Sequence, residues 1–288
     1  MIIVDLNQVM LSNLMVQLGN HLNAKVEENM VRHMVLNSIR SYKQKFTIDY
    51  GEMIIACDNT NYWRKQLFPY YKANRKKSIS ESELNWKDIF ECMNKIRAEL
   101  KEFFPYRVID VESAEADDII GTLVAEVSKN DGDINTGEKI LILSGDKDFI
   151  QLHKFSNVNQ YDPVRKKWIK HDNPELFLRE HIMKGDAGDG VPNVLSDDNC
   201  FVVGTRQKPL TAKKMANLLQ SPPDEKDQTL YRNFCRNRQL IDLTYIPKEI
   251  KHKVLNQYSS QTGKDRSKLM NYFIANKLKN LTEYISEF

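Results

Sequence analysis

No two cysteines of this chain lie close enough in sequence to form a C-x-x-C pair: its four, Cys57, Cys92, Cys200 and Cys235, are scattered over 288 residues. That spacing argues against a zinc site or a disulfide framework and reads as reduced thiols in a cytosolic protein. No apolar run approaches the roughly 20 residues of a membrane-spanning helix, so no membrane partner is expected. The first hydrophobic run begins at residue 2, so no secretion signal is expected. Internal repeats and low-complexity tracts are missing too, which leaves a globular chain to be explained.

That chain is 41% hydrophobic and 28% charged, enough apolar material for a large core at the usual upper size limit for a single one. Its formal net charge of +3 combines 42 basic and 39 acidic residues. If several acids gather at one site, the remaining surface is more positive than the total suggests, which fits a polyanionic partner.

Three short hydrophobic runs do end in aspartate: Ile2-Ile3-Val4 before Asp5, Met53 to Cys57 before Asp58, and Lys139 to Leu143 before Asp146 and Asp148. Runs of this length, rich in β-branched residues, predict buried strands of a parallel sheet. Working groups of open α/β sheets collect beyond the carboxyl ends of the strands, so these acids are expected along one edge. Two like charges about 4 Å apart repel by roughly 1–4 kcal/mol, so protons or cations must neutralise such a cluster.

Alternating strands and helices are expected over residues 1–184, as an α/β domain with a mostly parallel central sheet flanked by helices. Helices are read over Glu27 to Phe46, with Met30, Met34, Val35 and Ile39 towards the core, and over Trp86 to Phe104. A further one spans Ala114 to Val127 with Ser113 as its cap. Strands are read near Arg107 to Ile109, Val158 to Tyr161 and Lys167 to Lys170, and a polar turn at 130–138. From Pro174 onward only helices are expected, and residues 185–288 form an all-helical C-terminal region.

The helix over 114–127 adds acids to the same neighbourhood, with Glu115 and Asp118 together beside its apolar stripe and Asp117 projecting elsewhere. The plain alternative is that acids in a first helical turn merely favour the macrodipole. The loop Gly185-Asp186-Ala187-Gly188-Asp189-Gly190 supplies two more carboxylates, and alone it would be an ordinary turn. Their conjunction carries the reading. Carboxylate and water ligands suit Mg²⁺, with Mn²⁺ as a substitute, and the lack of nearby Cys or His ligands argues against zinc. More carboxylates than one ion needs point to two ions, as in phosphodiester hydrolysis.

Between Tyr62 and Lys77 lie six cations (Arg64, Lys65, Lys72, Arg75, Lys76, Lys77), five aromatics and no acid. A solvated helix with some rings plugging the core would account for part of this. Cations tracking a backbone beside rings that stack on bases are what a nucleic acid requires, so Tyr62, Arg64, Lys65, Tyr71, Lys72, Arg75, Lys76 and Lys77 are candidate contacts.

These motifs resemble the 5′-nuclease superfamily of flap endonucleases and polymerase-associated 5′–3′ exonucleases. The resemblance rests on Val4-Asp5, Tyr-Tyr-Lys-Ala-Asn-Arg (70–75), Glu-Ala-Asp-Asp (115–118), Ser-Gly-Asp-Lys-Asp-Phe-Ile-Gln-Leu (144–152) and Gly-Asp-x-x-Asp (185–189). Within it, Asp58-Asn59 before Tyr62-Trp63-Arg64, Gln151 to Lys154 and the closing Glu287-Phe288 resemble the T-even bacteriophage ribonuclease H group over almost the whole chain.

The resemblance implies a PIN-like 5′-nuclease fold with a basic helical arch over about 62–82. It also implies a protein of the bacterial host cytoplasm that removes RNA primers and adjoining DNA from lagging-strand fragments; a monomer is the default expectation. Its substrates would be DNA and RNA–DNA hybrids with 5′ flaps or forks; its protein partners, the phage single-strand-binding protein and sliding clamp.

By the same resemblance Asp5, Asp58, Asp118 and Asp146 would hold a first Mg²⁺. Asp148, Asp189 and, through water, Asp186 would hold a second. Glu115 would support both, and Asp117 is a further candidate at a position not always acidic in that group. Lys72 and Arg75 would reach the scissile phosphate, beside catalytic Asp146. After the aspartate loop the family's glycine-rich duplex clamp is replaced by 193–208, where Arg206 and Lys208, with Lys213 and Lys214 beyond, are basic enough to touch a duplex backbone. Two other readings remain: a PIN-like endoribonuclease, and a non-catalytic binder of DNA junctions.

Overall fold

The computed structural model describes residues 1–18, 26–129, 138–262 and 264–288. Six strands form one sheet: β1 (Ile2–Asp5), β2 (Met53–Ala56), β3 (Arg107–Ile109), β4 (Ile140–Leu143), β5 (Val158–Asp162) and β6 (Lys167–Ile169). They lie in the order β3-β2-β1-β4-β5-β6, parallel throughout except for the antiparallel edge strand β6. β1, β2 and β4 are wholly buried, as continuous apolar runs covered on both faces should be.

Helices α1 (Leu6–Leu18), α2 (Glu28–Tyr50), α3 (Trp63–Leu67), α4 (Ala73–Ser80), α5 (Trp86–Phe103) and α6 (Ala116–Lys129) alternate with the first strands. A 3₁₀ helix (Lys147–Lys154) follows β4. The remainder is α7 (Pro174–Lys184), α8 (Cys200–Val203), α9 (Ala212–Gln220), α10 (Gln228–Ile241), α11 (Lys248–Ser260), α12 (Leu269–Ala275) and α13 (Lys279–Thr282). Among the described residues no strand follows β6, only an isolated bridge between Asp186 and Val191, and no helix is long and apolar enough to cross a membrane.

Each sheet face has its own core. One packs Val4, Val35, Ile96 and Leu100 with Leu269, Phe273 and the terminal Phe288; the other packs Ile3, Ile120 and Val124 with Leu243, Ile250 and Val254. The C-terminal helices therefore complete both cores of the α/β sheet. Core residues of α2 are Val31, Arg32, Val35, Leu36, Ile39 and Phe46. Met30, expected inward, is exposed, while Arg32 lies inward, paired with Glu99 at 2.7 Å.

Register fixes the working edge. Asp5 pairs with Ala56 of β2, so Asp58 stands two residues beyond. On the other side Val4 pairs with Leu143, and Ser144-Gly145-Asp146 turn out of the sheet there. The strand order reverses direction between β1 and β4, which opens a crevice at their carboxyl ends. Of the polar turn expected at 130–138, residues 130–137 lie outside the described residues.

Candidate metal centre

Asp5 closes β1 and is almost fully buried; it accepts from the Ser144 hydroxyl at 3.0 Å and the Gln8 amide at 3.2 Å. Burial first, then the charge of Asp58, pushes its pKa up to about 7. Asp58 accepts from the Ala116 amide at 2.6 Å and from the Asn7 side chain at 2.5 Å, yet burial still raises its pKa. Asp146 caps the 3₁₀ helix by accepting from the Asp148 amide at 2.9 Å. Burial raises its pKa too, and Asp189 and Asp186 add to the rise. Gln160 of β5 holds this loop by donating to the carbonyls of Ser144 and Asp146 at 2.9 and 2.6 Å.

The start of α6 lies differently from the expectation. Ser113 has φ 68 and caps nothing; the helix begins at Ala116, and Asp118 accepts from the Glu115 amide at 2.9 Å. Asp118 is fully buried, and its carboxylate is spent on the Trp63 indole at 3.0 Å and on Arg64 at 2.9 Å. It is Asp117 that faces the other acids. Burial and then the charge of Asp146 raise its pKa well above the carboxylate range, with Asp148 contributing. The spacing that sets Glu115 and Asp118 together beside the apolar stripe holds, both meeting Arg64; what it could not show is that Trp63 and Arg64 of α3 reach Asp118.

Glu115 sits beneath these groups at 1% exposure, held by Lys72 at 2.5 Å, Arg64 at 2.8 Å and the Tyr71 hydroxyl at 2.9 Å. Burial works to raise its pKa, but Lys72 and Arg64 outweigh it and the carboxyl is lowered. Lys72 adopts φ 55 while its amide donates to the Asp189 carbonyl at 2.7 Å. A lysine held in the left-handed region is uncommon and marks a position fixed by its surroundings. Burial disfavours its ammonium; Glu115 and Asp189 prevail and raise its pKa.

The aspartate loop meets the same group. Gly185 has φ 68, and a Cβ there would lie 2.4 Å from the Val191 carbonyl, so only glycine permits the turn that brings Asp186 round. Asp189 accepts from Tyr71 at 2.8 Å and from Arg75 at 2.6 Å. Asp186 accepts from the Asp189 amide at 3.0 Å. Asp148 is pushed up to about 8 by burial and then by Asp146.

One residue here escaped sequence reasoning. His181, on α7, has Nε2 3.4 Å from Asp148 and 3.4 Å from Asp186. Its imidazole, at that distance, holds Asp186 down at about 2. The expectation that no histidine lies near the acids is therefore corrected. The available signal was a histidine one helical turn before a glycine-aspartate break.

The basic segment divides. Trp63, Phe68 and Tyr71 are buried, the latter two in a cluster with Ile182, Val191, Leu240 and Ile241. Arg64 is 3% exposed, so it and Tyr71 brace the acidic site from within; both were expected on the nucleic-acid surface. Lys65 and Lys76 are exposed and Arg75 is 53% exposed. Half-buried Tyr62 has Lys65 over its ring at 4.6 Å. The Lys77 side chain lies outside the described residues. Arg206, Lys208, Lys213 and Lys214 are exposed, Lys208 pairing with Asp197 at 3.4 Å. Asn193 and Ser196 tie this stretch together by accepting from the Gln207–Lys208 side or donating to it, with Asn193 Nδ2 to the Lys208 carbonyl at 2.9 Å.

Buried carboxyls with raised pKa values, oxygen donors from five separate segments, and buried atoms without a hydrogen-bond partner among the described residues, Asp148 Oδ1 and His181 Nε2 among them, fit divalent cations.

Comparisons with known proteins agree with this geometry. The family model for the 5′-3′ exonuclease N-terminal, resolvase-like domain matches residues 1–181, and that for the T4 RNase H C-terminal region matches residues 172–288. The chain is 37% identical to the ribonuclease H of Enterobacteria phage T4 across 99% of this chain and 95% of that one. It is 30% identical to the flap endonuclease Xni of Shewanella woodyi over 46% of this chain and 48% of the relative. In structure it resembles a D15 flap endonuclease of bacteriophage T5, solved as a pseudo-enzyme–product complex with DNA and metal ions. That likeness has a TM-score of 0.63 at 17% identity, covering 91% of this chain and 99% of the other.

Proposed function

Since the chain belongs to the 5′–3′ exonuclease family, with a C-terminal region of the T4 RNase H type, and is a nuclease that hydrolyses phosphodiester bonds, we propose that it is a Mg²⁺-dependent flap nuclease with ribonuclease H activity. It removes RNA primers and adjoining DNA during phage replication in the host cytoplasm. The observation that supports this most directly is the convergence of acids from β1, the turn after β2, α6, the loop after β4 and the aspartate loop, with Lys72 against Glu115 and Asp189 and Arg75 against Asp189.

Asp5, Asp58, Asp117 and Asp146 would hold one cation, and Asp148, Asp189 and Asp186 a second. Asp118 braces the site through Arg64 and Trp63 instead of ligating. Bound there, divalent ions supply a hydroxide at neutral pH and neutralise charge developing on the phosphate.

The chain's own groups do the positioning. Lys72 is pre-oriented by Glu115 and Asp189, so its ammonium is available to a phosphate oxygen as negative charge grows there. Arg75, half exposed, binds a neighbouring phosphate, and Lys65, Lys76 and the face of Tyr62 track the strand leading to it. Arg206, Lys208, Lys213 and Lys214 lie on the helical region (185–288), where they would follow the duplex backbone. The protein acts as a monomer, with the phage single-strand-binding protein and sliding clamp as its partners.

Purified protein with Mg²⁺ should release short 5′ products from labelled flap DNA and from RNA–DNA hybrids, and Asp146→Asn should abolish both. Preference for single-stranded RNA over flaps would instead select the endoribonuclease reading, and tight flap binding without cleavage in any metal would select the junction binder.

A further inference from the structure

Asp148, His181 and Asp186 each offer one donor atom, and these three atoms all lie within 4.8 Å of one another. At 3.4 Å each, the two N···O separations are long for hydrogen bonds, and neither His181 Nε2 nor Asp148 Oδ1 has a hydrogen-bond partner among the described residues. Both atoms are shielded from solvent, which makes an unmet donor or acceptor costly in the absence of a ligand. The backbone builds this approach: the Gly185 amide donates to the His181 carbonyl at 2.8 Å, and the turn at Gly185 returns Asp186 against the same imidazole. Phe177, one helical turn earlier, packs against the ring with centroids 5.7 Å apart and limits its rotation.

We propose that the second cation site of this protein is a mixed imidazole–carboxylate site, in which His181 Nε2 ligates the ion together with Asp148 and Asp186. An all-oxygen shell suits Mg²⁺; replacing one oxygen by an imidazole nitrogen shifts preference towards Mn²⁺, Co²⁺ and Zn²⁺. His181 thus sets which metal this site prefers, while the oxygen-only group around Asp5 and Asp58 keeps the preference for Mg²⁺. The inference rests on the metal-dependent reading of the site and adds to it the identity of one ligand.

The test is pulsed EPR of Mn²⁺ bound to the full chain, with unlabelled and ¹⁵N-histidine-labelled protein, beside calorimetric titration of Mn²⁺ and Mg²⁺. Nitrogen coupling that changes with the ¹⁵N label is expected in the wild type and should vanish in His181→Asn. That variant should bind Mn²⁺ at this site about tenfold or more weakly, with a smaller change for Mg²⁺. Mn²⁺ that binds in an Asp148-dependent manner but shows no nitrogen coupling would overturn the histidine ligand and leave the metal centre standing. If neither metal binds the wild type, the metal-dependent reading falls as well. The labelled wild-type measurement needs no variant, so a poorly folding His181→Asn protein leaves the proposal testable.

Discussion

Asp117 and Asp118 are adjacent in the first turn of α6 and serve opposite faces of it: Asp117 feels the charges of Asp146 and Asp148, whereas Asp118 is locked to Arg64 and Trp63. Nothing about two neighbouring aspartates tells them apart in the sequence. The difference arises because Trp63 and Arg64 of α3 reach the Asp118 carboxylate.

Their substitutions should separate cleanly. Asp118→Asn breaks a fully buried ion pair and should cost about 3–5 kcal/mol, lowering the melting temperature by roughly 2–4 °C for each kcal/mol. Asp117→Asn removes a repelled charge, so metal-free stability should hold or rise while cleavage collapses. Calorimetry and flap cleavage on both variants check this. A stability loss confined to Asp117→Asn would refute the assignment.

Lys72 should matter to rate more than to binding. Its ammonium is fixed by Glu115 and Asp189 before any substrate arrives, and a preorganised donor of that kind typically contributes about 10²–10³ in kcat. Lys72→Ala should therefore lower single-turnover cleavage by about that factor and change flap Kd by much less. Equal losses in both would make Lys72 a simple phosphate contact.

Within the basic segment, burial predicts which cation reads the nucleic acid. Lys65→Ala should weaken flap binding and reduce the salt slope of log Kd by about 1. Arg64→Met should leave that slope unchanged and lower the melting temperature, since it strands Glu115 and Asp118 without their guanidinium. Fluorescence anisotropy over a salt series separates the two. A reduced slope for Arg64→Met would mean that the arginine reaches solvent when substrate binds.

The sheet was legible because β1, β2 and β4 carry uninterrupted apolar runs, and their aspartates follow from the register of a parallel sheet. The aspartate loop was legible from its glycines. What the sequence could not show is packing between distant segments. His181 meets Asp148 only because α7 folds back on the 3₁₀ helix, and Arg64 is internal only because Leu240 and α6 cover it. An arch written in cations and rings looks alike whether those rings face bases or a core.

The metal-free protein should be less stable at pH 7.5 than at pH 5. Asp5 is raised to about 7 and Asp148 to about 8, with Asp58, Asp117 and Asp146 shifted in the same direction. A carboxyl with a folded pKa above its unfolded value contributes stability that is complete below the unfolded pKa. That contribution is lost as pH rises towards the folded pKa. His181, also raised, adds to the loss, and His153, which burial lowers, opposes it. Glu115 and Asp186, both lowered, are ionised in the folded chain throughout this window and largely so in the unfolded one, so their opposing slope is small. In EDTA the melting temperature should therefore fall between pH 5 and 7.5. Saturating Mn²⁺ stabilises the ionised carboxylates and should flatten the fall, so the metal-induced increase grows with pH. A melting temperature in EDTA that is flat or rising over that window would mean that the acids do not share one buried site.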